Sequence, residues 1–448
     1  MLNDQHRNIS HIIVFNGVKL LSDLFAPLAL GVNESYELAV SAEGRVAISS
    51  QTAWGALRGL ETLSQLVEYN FTTDTYSIHD VPFRMEDAPQ FQHRGLLVDS
   101  ARHFLPPIRL KRTIEAMSFA KLNVLHWHLT EDESFSMPSS SHPELAEKGA
   151  WSASERYSLH DVKDIVDFAQ LHGVRVIPEF DMPGHVSSWS KSHAELFDPR
   201  CLERSRRLAF EPTKEVFDFL QGLLTEWATG VFHDQFFHLG GDEVPFECWE
   251  RLSVSEGGKT YDTPPKLFRH FVGSMFRRVT GPLNRSAIFW DEAFVSADLP
   301  AEAVVQVWRD KKTLVRAVQA GHRALLSWGW YLDHLNEDWQ GMYDNDPVGG
   351  VPEDQKDKVL GGEGCMWGET VDGSDQAPTV WPRLAAIAER LWSAPASSAA
   401  AAETRLGAFR CLLLRRGVAA GPTMGQGRAA PPGPGSCDQR SGDWGQLA

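Results

Sequence analysis

The feature that most constrains the fold of this chain is a repeat. From Arg94 onward, short apolar segments alternate with amphipathic stretches of about 10 to 15 residues, the signature of successive βα units with parallel strands. Eight segments are predicted strands: 95–99, 122–129, 174–180, 235–239, 287–291, 304–308, 324–328 and 359–363. Eight such units over about 320 residues predict an α/β fold, a (β/α)8 TIM barrel with long loops.

Helices are predicted between these strands and after the last one, from apolar residues at helical spacing and from capping residues. The predicted ranges are 108–120, 160–171, 213–228, 265–279, 312–320 and 381–391.

Residues 1–88 predict a small α+β domain that precedes the catalytic barrel, 89–420. Alternating apolar residues indicate strands at 12–15, 36–40 and 46–48, and helical spacing indicates one helix at 54–67. The domain begins abruptly, and we expect that part of it and a signal peptide lie upstream. The Gly- and Pro-rich tail, 421–448, is expected to be poorly ordered.

The composition restricts the partners of this chain of 448 residues. Its net charge of -16 argues against nucleic acid and anionic membranes as main partners. A run of about 18 apolar residues is absent from the sequence, so no membrane span is predicted. There are 5 cysteines, and sequons for N-glycosylation occur at Asn8, Asn33, Asn70 and Asn284.

Active sites of TIM barrels lie at the carboxyl ends of the strands, and the residues found there indicate a sugar site. Trp290, Trp308, Trp330 and Trp367 follow strands five to eight in turn. Aromatic rings stack on the apolar face of a pyranose, and charged side chains bind its hydroxyls. Charged residues and histidines follow the strands in this order: Asp99, Arg102 and His103; His126, His128 and Glu131 to Glu133; Glu179, Asp181 and His185; Asp242 and Glu243; Asp291 and Glu292; Arg309; Asp333; Glu363 and Glu369.

The fourth strand runs into a diglycine and two adjacent carboxylates, Asp242 and Glu243. Two carboxylates at this separation do not both ionise cheaply, which predicts a raised pKa for one of them. A carboxylic acid that stays protonated near neutral pH can act as a general acid. The alternative is a solvated acidic pair at a strand end.

Several motifs occur in a fixed order: RGLLVDSARH at 94–103, LNVLHWHL at 122–129, EFDMPGH at 179–185, HLGGDEV at 238–244 and GEGCMWGE at 362–369. The segment WGALRGLET at 54–62 precedes them. With these motifs the chain resembles the β-N-acetylhexosaminidases of glycoside hydrolase family 20, in particular the lysosomal hexosaminidase subunits. The resemblance extends from about Gly31 to Cys437.

The resemblance implies removal of terminal non-reducing β-linked N-acetylglucosamine or N-acetylgalactosamine from glycoconjugates, with no cofactor. The mechanism it implies is substrate-assisted and retaining: the 2-acetamido oxygen attacks C1 and forms an oxazolinium-type intermediate. Glu243 matches the general acid/base of the family. Asp242 matches the residue that holds the acetamido N–H, and Tyr331 the hydroxyl that binds the acetamido oxygen.

The resemblance also assigns residues that bind the sugar. Three tryptophans would enclose the acetamido methyl group and the ring, an arginine and carboxylates would hold the hydroxyls, and a histidine would support the acid/base region. Asp333 stands where the family varies between Asn and Asp, and a carboxylate there is expected to favour a neutral terminal sugar over a 6-sulfated one. The set comprises Arg102, Glu131, His185, Trp290, Trp308, Asp333, Trp367 and Glu369.

Two departures from the family pattern lie near this site. Glu131 replaces the usual Asp, so its extra methylene either still reaches its partners or loosens that end of the site. Trp328-Gly329 stands where close relatives have a small residue and Pro.

By the same resemblance, Cys201 pairs with Cys248 and Cys411 with Cys437, while Cys365 stays single. Two disulfides and the sequons predict an oxidising maturation route and a lysosomal or extracellular location. A homodimer is expected from the relatives.

Two other functions remain open. His126 and His128 alternate on one strand and face one way, as metal ligands do, which is typical of a metal-dependent TIM-barrel hydrolase. Such enzymes usually have further His on later strands, and strands five and six end without His, so the pattern favours a hydrogen-bonded core pair. The second alternative is a non-catalytic sugar-binding barrel, against which Asp242, Glu243 and Tyr331 argue.

Overall fold

An amino-terminal sheet and a closed barrel organise the protein. The computed structural model describes residues 15–23, 26–70, 73–393, 398–423 and 437. The amino-terminal elements are β1 (Phe15–Asp23), β2 (Tyr36–Val40), β3 (Val46–Thr52), α1 (Ala53–Leu66), β4 (Glu68–Asn70), β5 (Thr75–Ser77) and β6 (Phe83–Asp87). Four of these strands form one sheet in the order β1-β3-β2-β6, and β4 pairs with β5.

The alternating pattern of β2 is the reason it pairs where predicted. Leu38 and Val40 are buried and lie opposite Ile48 and Val46 of β3 in an antiparallel register. The strands predicted at 36–40 and 46–48 are confirmed. Of the strand predicted at 12–15, residues 12–14 lie outside the described residues, and Phe15 begins β1.

Helix α1 is also confirmed, and Leu63 lies in the core of the amino-terminal domain with Leu60 and Leu66 packed against that core. Thr52 caps it through a hydrogen bond from the Gly55 amide, at 3.2 Å. Its most buried positions include Gly55, Arg58 and Gly59. A Cβ on Gly59 would lie 2.9 Å from Ile48 Cγ2, so the missing side chain allows the helix to approach the sheet closely.

The barrel predicted from the eight strands is confirmed. Its strands are closed in the order β10-β13-β14-β15-β16-β7-β8-β9, and they pair in parallel. The strands of this part of the chain are β7 (His93–Asp99), β8 (Val124–His128), β9 (Arg175–Glu179), β10 (Phe236–His238), β11 (Val254–Glu256), β12 (Lys259–Tyr261), β13 (Ser286–Trp290), β14 (Val304–Val307), β15 (Arg323–Leu326) and β16 (Val359–Met366). β11 and β12 form a separate hairpin.

Helices surround the barrel, and the six predicted ones are present. The last begins two residues later than predicted, because Pro382 precedes its first turn. The helices are α2 (Pro107–Phe119), α3 (Glu144–Gly149), α4 (Leu159–Leu171), α5 (Pro199–Arg204), α6 (Lys214–Gly230), α7 (Pro264–Thr280), α8 (Asp291–Ser296), α9 (Lys311–Gln319), α10 (Trp339–Asp344), α11 (Gln376–Val380), α12 (Arg383–Trp392) and α13 (Ala399–Arg415).

Three layers of side chains fill the barrel. At the amino ends of the strands an apolar layer that includes Phe236, Ile288 and Leu325 packs against Leu30 of the amino-terminal domain. At the carboxyl ends Trp290 and Trp367 pack with Leu97 and Cys365. The layer between is polar, and consists of His93, His126, Glu179, His238, Gln306 and Glu363.

Four buried polar side chains, which we call the amino-end network, join the amino-terminal domain to the barrel: Glu34, Arg58, Arg94 and Asn123. Glu34 Oε2 accepts hydrogen bonds from Arg58 Nε at 2.9 Å and from Arg94 Nη2 at 2.6 Å, and its Oε1 accepts one from Asn123 Nδ2 at 2.8 Å. Burial alone would raise the pKa of Glu34, but the two arginines outweigh it and lower the pKa to about 2.

The carboxyl-terminal part of the chain is described only in part. The disulfide between Cys411 and Cys437 is formed, while the remainder of the predicted tail beyond Thr423 lies outside the described residues. Among the described helices, none combines the length and apolarity needed to cross a bilayer. The division into 1–88, 89–420 and 421–448 stays a prediction.

Candidate active site

The diglycine after β10 lets the chain pass directly over a buried carboxyl group. Gly240 has a positive φ of 63°, and a Cβ at this position would lie 1.6 Å from Asp181 Oδ1. The next amide, that of Gly241, donates to the same oxygen at 2.9 Å. This passage places Asp242 and Glu243 side by side at the mouth of the barrel.

Asp242 is buried and rests on Asp181, which is itself completely buried. Burial and then the charge of Asp242 raise the pKa of Asp181 well above its ordinary value, and burial also raises the pKa of Asp242. Asp181 is therefore the protonated partner, and it donates a hydrogen bond to Asp242. Asp181 Oδ2 and Asp242 Oδ1 have no N–H donor among the residues described. The pair therefore shares one proton and leaves Asp242 as an acceptor.

Glu243 differs from its neighbour because it is open to solvent. Its side chain is 46% exposed, whereas that of Asp242 is 13% exposed. Its Oε2 accepts a hydrogen bond from Arg207 Nη2 at 2.8 Å and lies 3.8 Å from His185 Nε2. Glu243 and His185 both adopt left-handed backbone conformations, with φ values of 45° and 57°, a strain that is common at functional sites.

A continuous line of charged side chains, the carboxyl-end network, runs across the mouth: Arg102, Glu131, His185, Asp242 and Glu243. Glu131 Oε1 lies 2.6 Å from Arg102 Nη2 and 2.9 Å from His185 Nδ1. The longer side chain of Glu131 thus reaches both partners. Burial lowers the pKa of His185, but Glu131 and then Asp242 raise it to about 9, so His185 is cationic at neutral pH.

The aromatic side chains lie beside this network. The ring centroids of Trp290 and Trp367 are 6.0 Å apart, and those of Trp308 and Tyr331 are 6.1 Å apart. The Arg102 guanidinium carbon lies 5.3 Å from the ring centroid of Trp367. These contacts join the predicted aromatic residues to the carboxyl-end network in one cleft.

Trp330 does not belong to this wall, and its inclusion among the sugar-facing aromatics is wrong. It is fully buried, and its Nε1 donates to the Met342 carbonyl oxygen at 2.9 Å. The residues after β15 alternate in direction, so Tyr331 enters the cleft while Trp330 packs into the core. The unusual Trp328 is 38% exposed on the rim.

Two further carboxylates complete the outer side of the cleft. Glu369 is exposed, and its Oε1 lies 3.7 Å from Arg102 Nη1. Burial raises the pKa of Asp333 to about 6. Its Oδ1 is buried and has no hydrogen-bond partner among the described residues.

Three residues that were not assigned a role also touch this site. Asp181 supports Asp242, and Arg207 contacts Glu243. Glu292 Oε2 accepts a hydrogen bond from Trp308 Nε1 at 3.0 Å, and burial and the nearby charge of Asp242 raise its pKa to about 8. Asp181 and Glu292 directly follow predicted strands, and this position at the carboxyl end of a barrel strand could have identified them as site residues. The only signal for Arg207 is its place in an arginine-rich stretch.

The interior histidines fit a hydrogen-bonded core. His128 Nδ1 lies 2.6 Å from Glu179 Oε2, and His126 lies between Glu179 and Glu363, with Nε2 3.1 Å from the former and Nδ1 2.5 Å from the latter. Ligand-type atoms of His126, Glu179 and His238 lie within 4.8 Å of one another, but Glu179 already forms hydrogen bonds with His128 at 2.6 Å and with Trp290 at 2.8 Å. These carboxylates therefore have protein donors.

The second predicted disulfide, Cys201–Cys248, is formed as well. It ties α5 to the turn at Phe246–Trp249, a few residues beyond Glu243. Cys365 is a free, buried cysteine.

Comparisons with known proteins show consistent similarities. The family model "Glycosyl hydrolase family 20, catalytic domain" matches residues 91–395, and "beta-acetyl hexosaminidase like" matches residues 3–66. Beta-hexosaminidase 1 of Arabidopsis thaliana is 40% identical over 92% of this chain and 78% of its own length. The human beta-hexosaminidase subunit beta is 39% identical over 90% of this chain and 75% of its own length.

Among solved structures, the chitobiase of Flavobacterium johnsoniae superposes with a TM-score of 0.77 at 29% identity. The superposition covers 88% of this chain and 61% of the chitobiase chain. The chain thus spans somewhat less than two thirds of that protein and about three quarters of the curated relatives.

Proposed function

The chain belongs to glycosyl hydrolase family 20, and from this membership we propose how its residues carry out the reaction of a β-N-acetylhexosaminidase. Enzymes of this family are retaining glycosidases that remove terminal N-acetylglucosamine or N-acetylgalactosamine. The observation that carries the assignment of roles is the unequal burial of two adjacent carboxylates, Asp242 and Glu243.

Asp242 receives the substrate's acetamido group. It is buried, it takes a proton-mediated hydrogen bond from Asp181, and it keeps acceptor capacity for the acetamido N–H. This contact turns the acetamido oxygen toward C1 and stabilises the positive charge that develops as the ring closes. Tyr331 lies in the same pocket and offers its hydroxyl to the acetamido oxygen.

Glu243 moves the proton. In the first step the acetamido oxygen forms a bond to C1, the bond from C1 to the leaving oxygen breaks, and Glu243 gives its proton to that oxygen. In the second step a water molecule attacks C1 of the oxazolinium-type intermediate, returns its proton to Glu243 and opens the ring. The acetamido oxygen attacks from the face opposite the leaving group and the water from the face opposite the acetamido oxygen, so two inversions at C1 retain the configuration.

The remaining residues hold the sugar. Trp290, Trp308 and Trp367 enclose the acetamido methyl group, while Arg102 and Glu369 hold the hydroxyls on the outer side of the ring. Glu131 and His185 position Arg102 and the acid/base pair. Asp333, with its unpartnered oxygen, accepts a hydrogen bond from a 6-hydroxyl and disfavours a 6-sulfate. Comparable turnover of sulfated and plain aryl glycosides would overturn this preference.

Hydrolysis of aryl N-acetylglucosaminide and aryl N-acetylgalactosaminide tests the proposal, with the aryl glucoside as control. We expect turnover of both acetamido substrates and at most a trace on the glucoside, because the glucoside lacks the internal nucleophile. Glu243→Gln should abolish most of the activity. Folded wild-type protein that is inactive on both acetamido substrates would refute the assignment.

We further propose that the protein acts in a lysosome or outside the cell, as a homodimer. The two disulfides and the exposed sequon at Asn284 support the location. Mammalian relatives are named as subunits, which supports assembly. Mass measurement by light scattering and removal of N-glycans from protein secreted by cultured cells test the two statements separately.

A further inference from the structure

A basic stretch lies at the mouth of the cleft in a chain whose net charge is -16. Within residues 200–207 the sequence has Arg200, Arg204, Arg206 and Arg207. All four are exposed, and Arg200 pairs with Asp198. Among them, Arg207 is the one whose side chain contacts the candidate catalytic residues.

The guanidinium group of Arg207 touches three residues of the site. Its Nη2 donates to Glu243 Oε2 at 2.8 Å and lies 3.4 Å from His185 Nε2, while its Nε lies 3.6 Å from Asp132 Oδ2. The side chain is 46% exposed. A guanidinium has five N–H donors, so these contacts leave further donors for a ligand.

The backbone around Arg207 is fixed, so its position is a built feature of the site. The Leu208 amide donates to Ser187 Oγ at 3.0 Å, and the Phe210 amide donates to the Pro183 carbonyl oxygen at 3.0 Å. On the other side, the Cys201–Cys248 disulfide joins this loop to the segment that follows Glu243. The arginine and the acid/base residue are thus held by one covalently closed unit.

Arg207 lies on the side of Glu243 from which the leaving group departs. Side-chain exposure increases from Asp242, at 13%, to Glu243 and Arg207, each at 46%. The terminal sugar is held at the buried end, by Asp242 and the tryptophans. Because Glu243 delivers its proton to the oxygen between the two sugars, the sugar beyond that oxygen meets the exposed end, where Arg207 lies.

We propose that Arg207 forms a leaving-group subsite that binds a carboxylate or sulfate on the sugar next to the scissile bond. This inference rests on the roles of Asp242 and Glu243 proposed above. An arginine fork binds either anion through paired, charge-assisted hydrogen bonds. The preferred substrates are therefore glycans in which the terminal N-acetylhexosamine is linked to a uronic acid or to a sulfated sugar.

The subsite also couples binding to chemistry. In the free enzyme Arg207 engages the oxygen of Glu243 that the leaving group needs. An anionic substituent on the substrate takes over this guanidinium and releases Glu243 Oε2 toward the glycosidic oxygen. A neutral leaving group provides no such replacement, so it reacts against the competing ion pair.

The test compares three disaccharides in which N-acetylglucosamine is β-linked to N-acetylglucosamine, to glucuronic acid or to 6-sulfated N-acetylglucosamine. We expect kcat/KM for at least one acidic disaccharide to exceed that for the neutral one by about ten-fold. A preference for one acidic disaccharide alone identifies its anion as the ligand. Equal kcat/KM for all three overturns the proposal.

Arg207→Gln should bring the acidic-to-neutral ratio close to one. Arg206→Gln is the matched control, because it removes the same charge from the adjacent position and should keep the ratio. A ratio that survives in Arg207→Gln overturns the proposal. Turnover of an uncharged aryl N-acetylglucosaminide reports separately on the proposed function.

If Arg207→Gln is too slow to assay, binding can be compared without turnover. Analogues of the three disaccharides in which sulfur replaces the oxygen between the sugars resist hydrolysis, and calorimetry measures their binding. The wild type should bind the preferred acidic analogue about ten-fold more tightly than the neutral one, and the variant should bind both equally. Unchanged discrimination in the variant overturns the proposal.

Discussion

The two buried charge networks at opposite ends of the barrel differ in whether the protein completes them. In the amino-end network both oxygens of Glu34 accept hydrogen bonds from protein donors, three in all. In the carboxyl-end network Asp242 is buried beside a second carboxyl group, and Glu243 is half-exposed. Similar side chains therefore stabilise the fold at one end and stay available for a ligand at the other.

This difference follows from the cost of burying charge. Desolvation of an ion is offset only when partners satisfy it, as they do for Glu34. At the carboxyl end the charge of Asp242 is offset by a hydrogen bond from protonated Asp181 and by cationic His185. These partners leave acceptor capacity on Asp242 that a sugar can use. Mutations at the two ends should thus affect different properties.

The largest expected effect is on catalysis. Glu243→Gln removes the proton carrier but keeps the shape, and we expect kcat to fall by about 10² to 10⁴-fold with little change in the melting temperature. Aryl N-acetylglucosaminide assays and thermal melts measure both. Glu250→Gln, an exposed residue on the same loop, should retain activity. A variant at position 243 that melts far below wild type would contradict the division between the two ends.

The corresponding change at the amino end should act on stability alone. Glu34→Gln leaves Arg58 and Arg94 buried without a counter-charge, which should lower the free energy of unfolding by about 3–5 kcal/mol. Urea denaturation measures this loss, and Glu37→Gln, which breaks an exposed ion pair, should cost less than about 1 kcal/mol. A large loss of kcat in folded Glu34→Gln would show that the two ends are coupled.

The amino-end network should also give stability a specific acid dependence. The pKa of Glu34 is lowered from 4.5 to about 2, so its contribution is complete above pH 4.5 and is lost as pH falls toward 2. The shift corresponds to about 3 kcal/mol. Denaturation midpoints between pH 6 and pH 2 should fall more steeply for wild type than for Glu34→Gln. If the midpoints of wild type and Glu34→Gln fall in parallel with pH, Glu34 is not the cause of the acid dependence.

At the carboxyl end, Glu292 should set an alkaline limit for activity. Its raised pKa, about 8, keeps it neutral at lower pH, and above that value a new negative charge appears close to Asp242. We expect kcat/KM of the wild type to fall several-fold as pH rises through about 8. Above that pH Trp308 donates to a carboxylate in place of a neutral acid, and the new negative charge lies close to Asp242. Glu292→Gln, which mimics the neutral acid, should lack this fall. An identical profile would exclude the residue.

The smallest expected effect concerns selectivity. The pKa of Asp333 is raised to about 6, so the residue is neutral in acid and charged above that pH. The preference for a plain over a 6-sulfated terminal sugar should therefore increase a few-fold between pH 4.5 and pH 7. Relative kcat/KM values of the two aryl glycosides measure it. In Asp333→Asn the ratio should not change with pH.

The sequence predicted what depends on periodicity and missed what depends on distance. The eight strands and six main helices follow from apolar spacing, and the strand ends then located Asp242, Glu243 and the tryptophans. Trp330 was misassigned because neighbouring residues after a strand alternate in direction, and the sequence does not show which of them turns inward.

Spacing along the chain did not predict partners that are remote in sequence, although the family resemblance supplied the two disulfide pairs. The proton shared by Asp181 and Asp242 and the contact of Arg207 with Glu243 join different loops, and spacing along the chain carries no signal for such pairs. Glu131 shows the same limit: only the structure establishes that its extra methylene reaches both Arg102 and His185.

The contacts of Arg58 have a consequence for the order of folding. Its Nη2 donates to the carbonyl oxygen of Gly173 at 2.8 Å, 115 positions away. Glu34 binds Arg94, which lies in β7, and Asn123, which directly precedes β8. The amino-terminal domain, although synthesised first, therefore has no docking surface until three barrel strands have assembled. We expect its docking to be a late step in refolding, slow because its contacts are so distant in sequence.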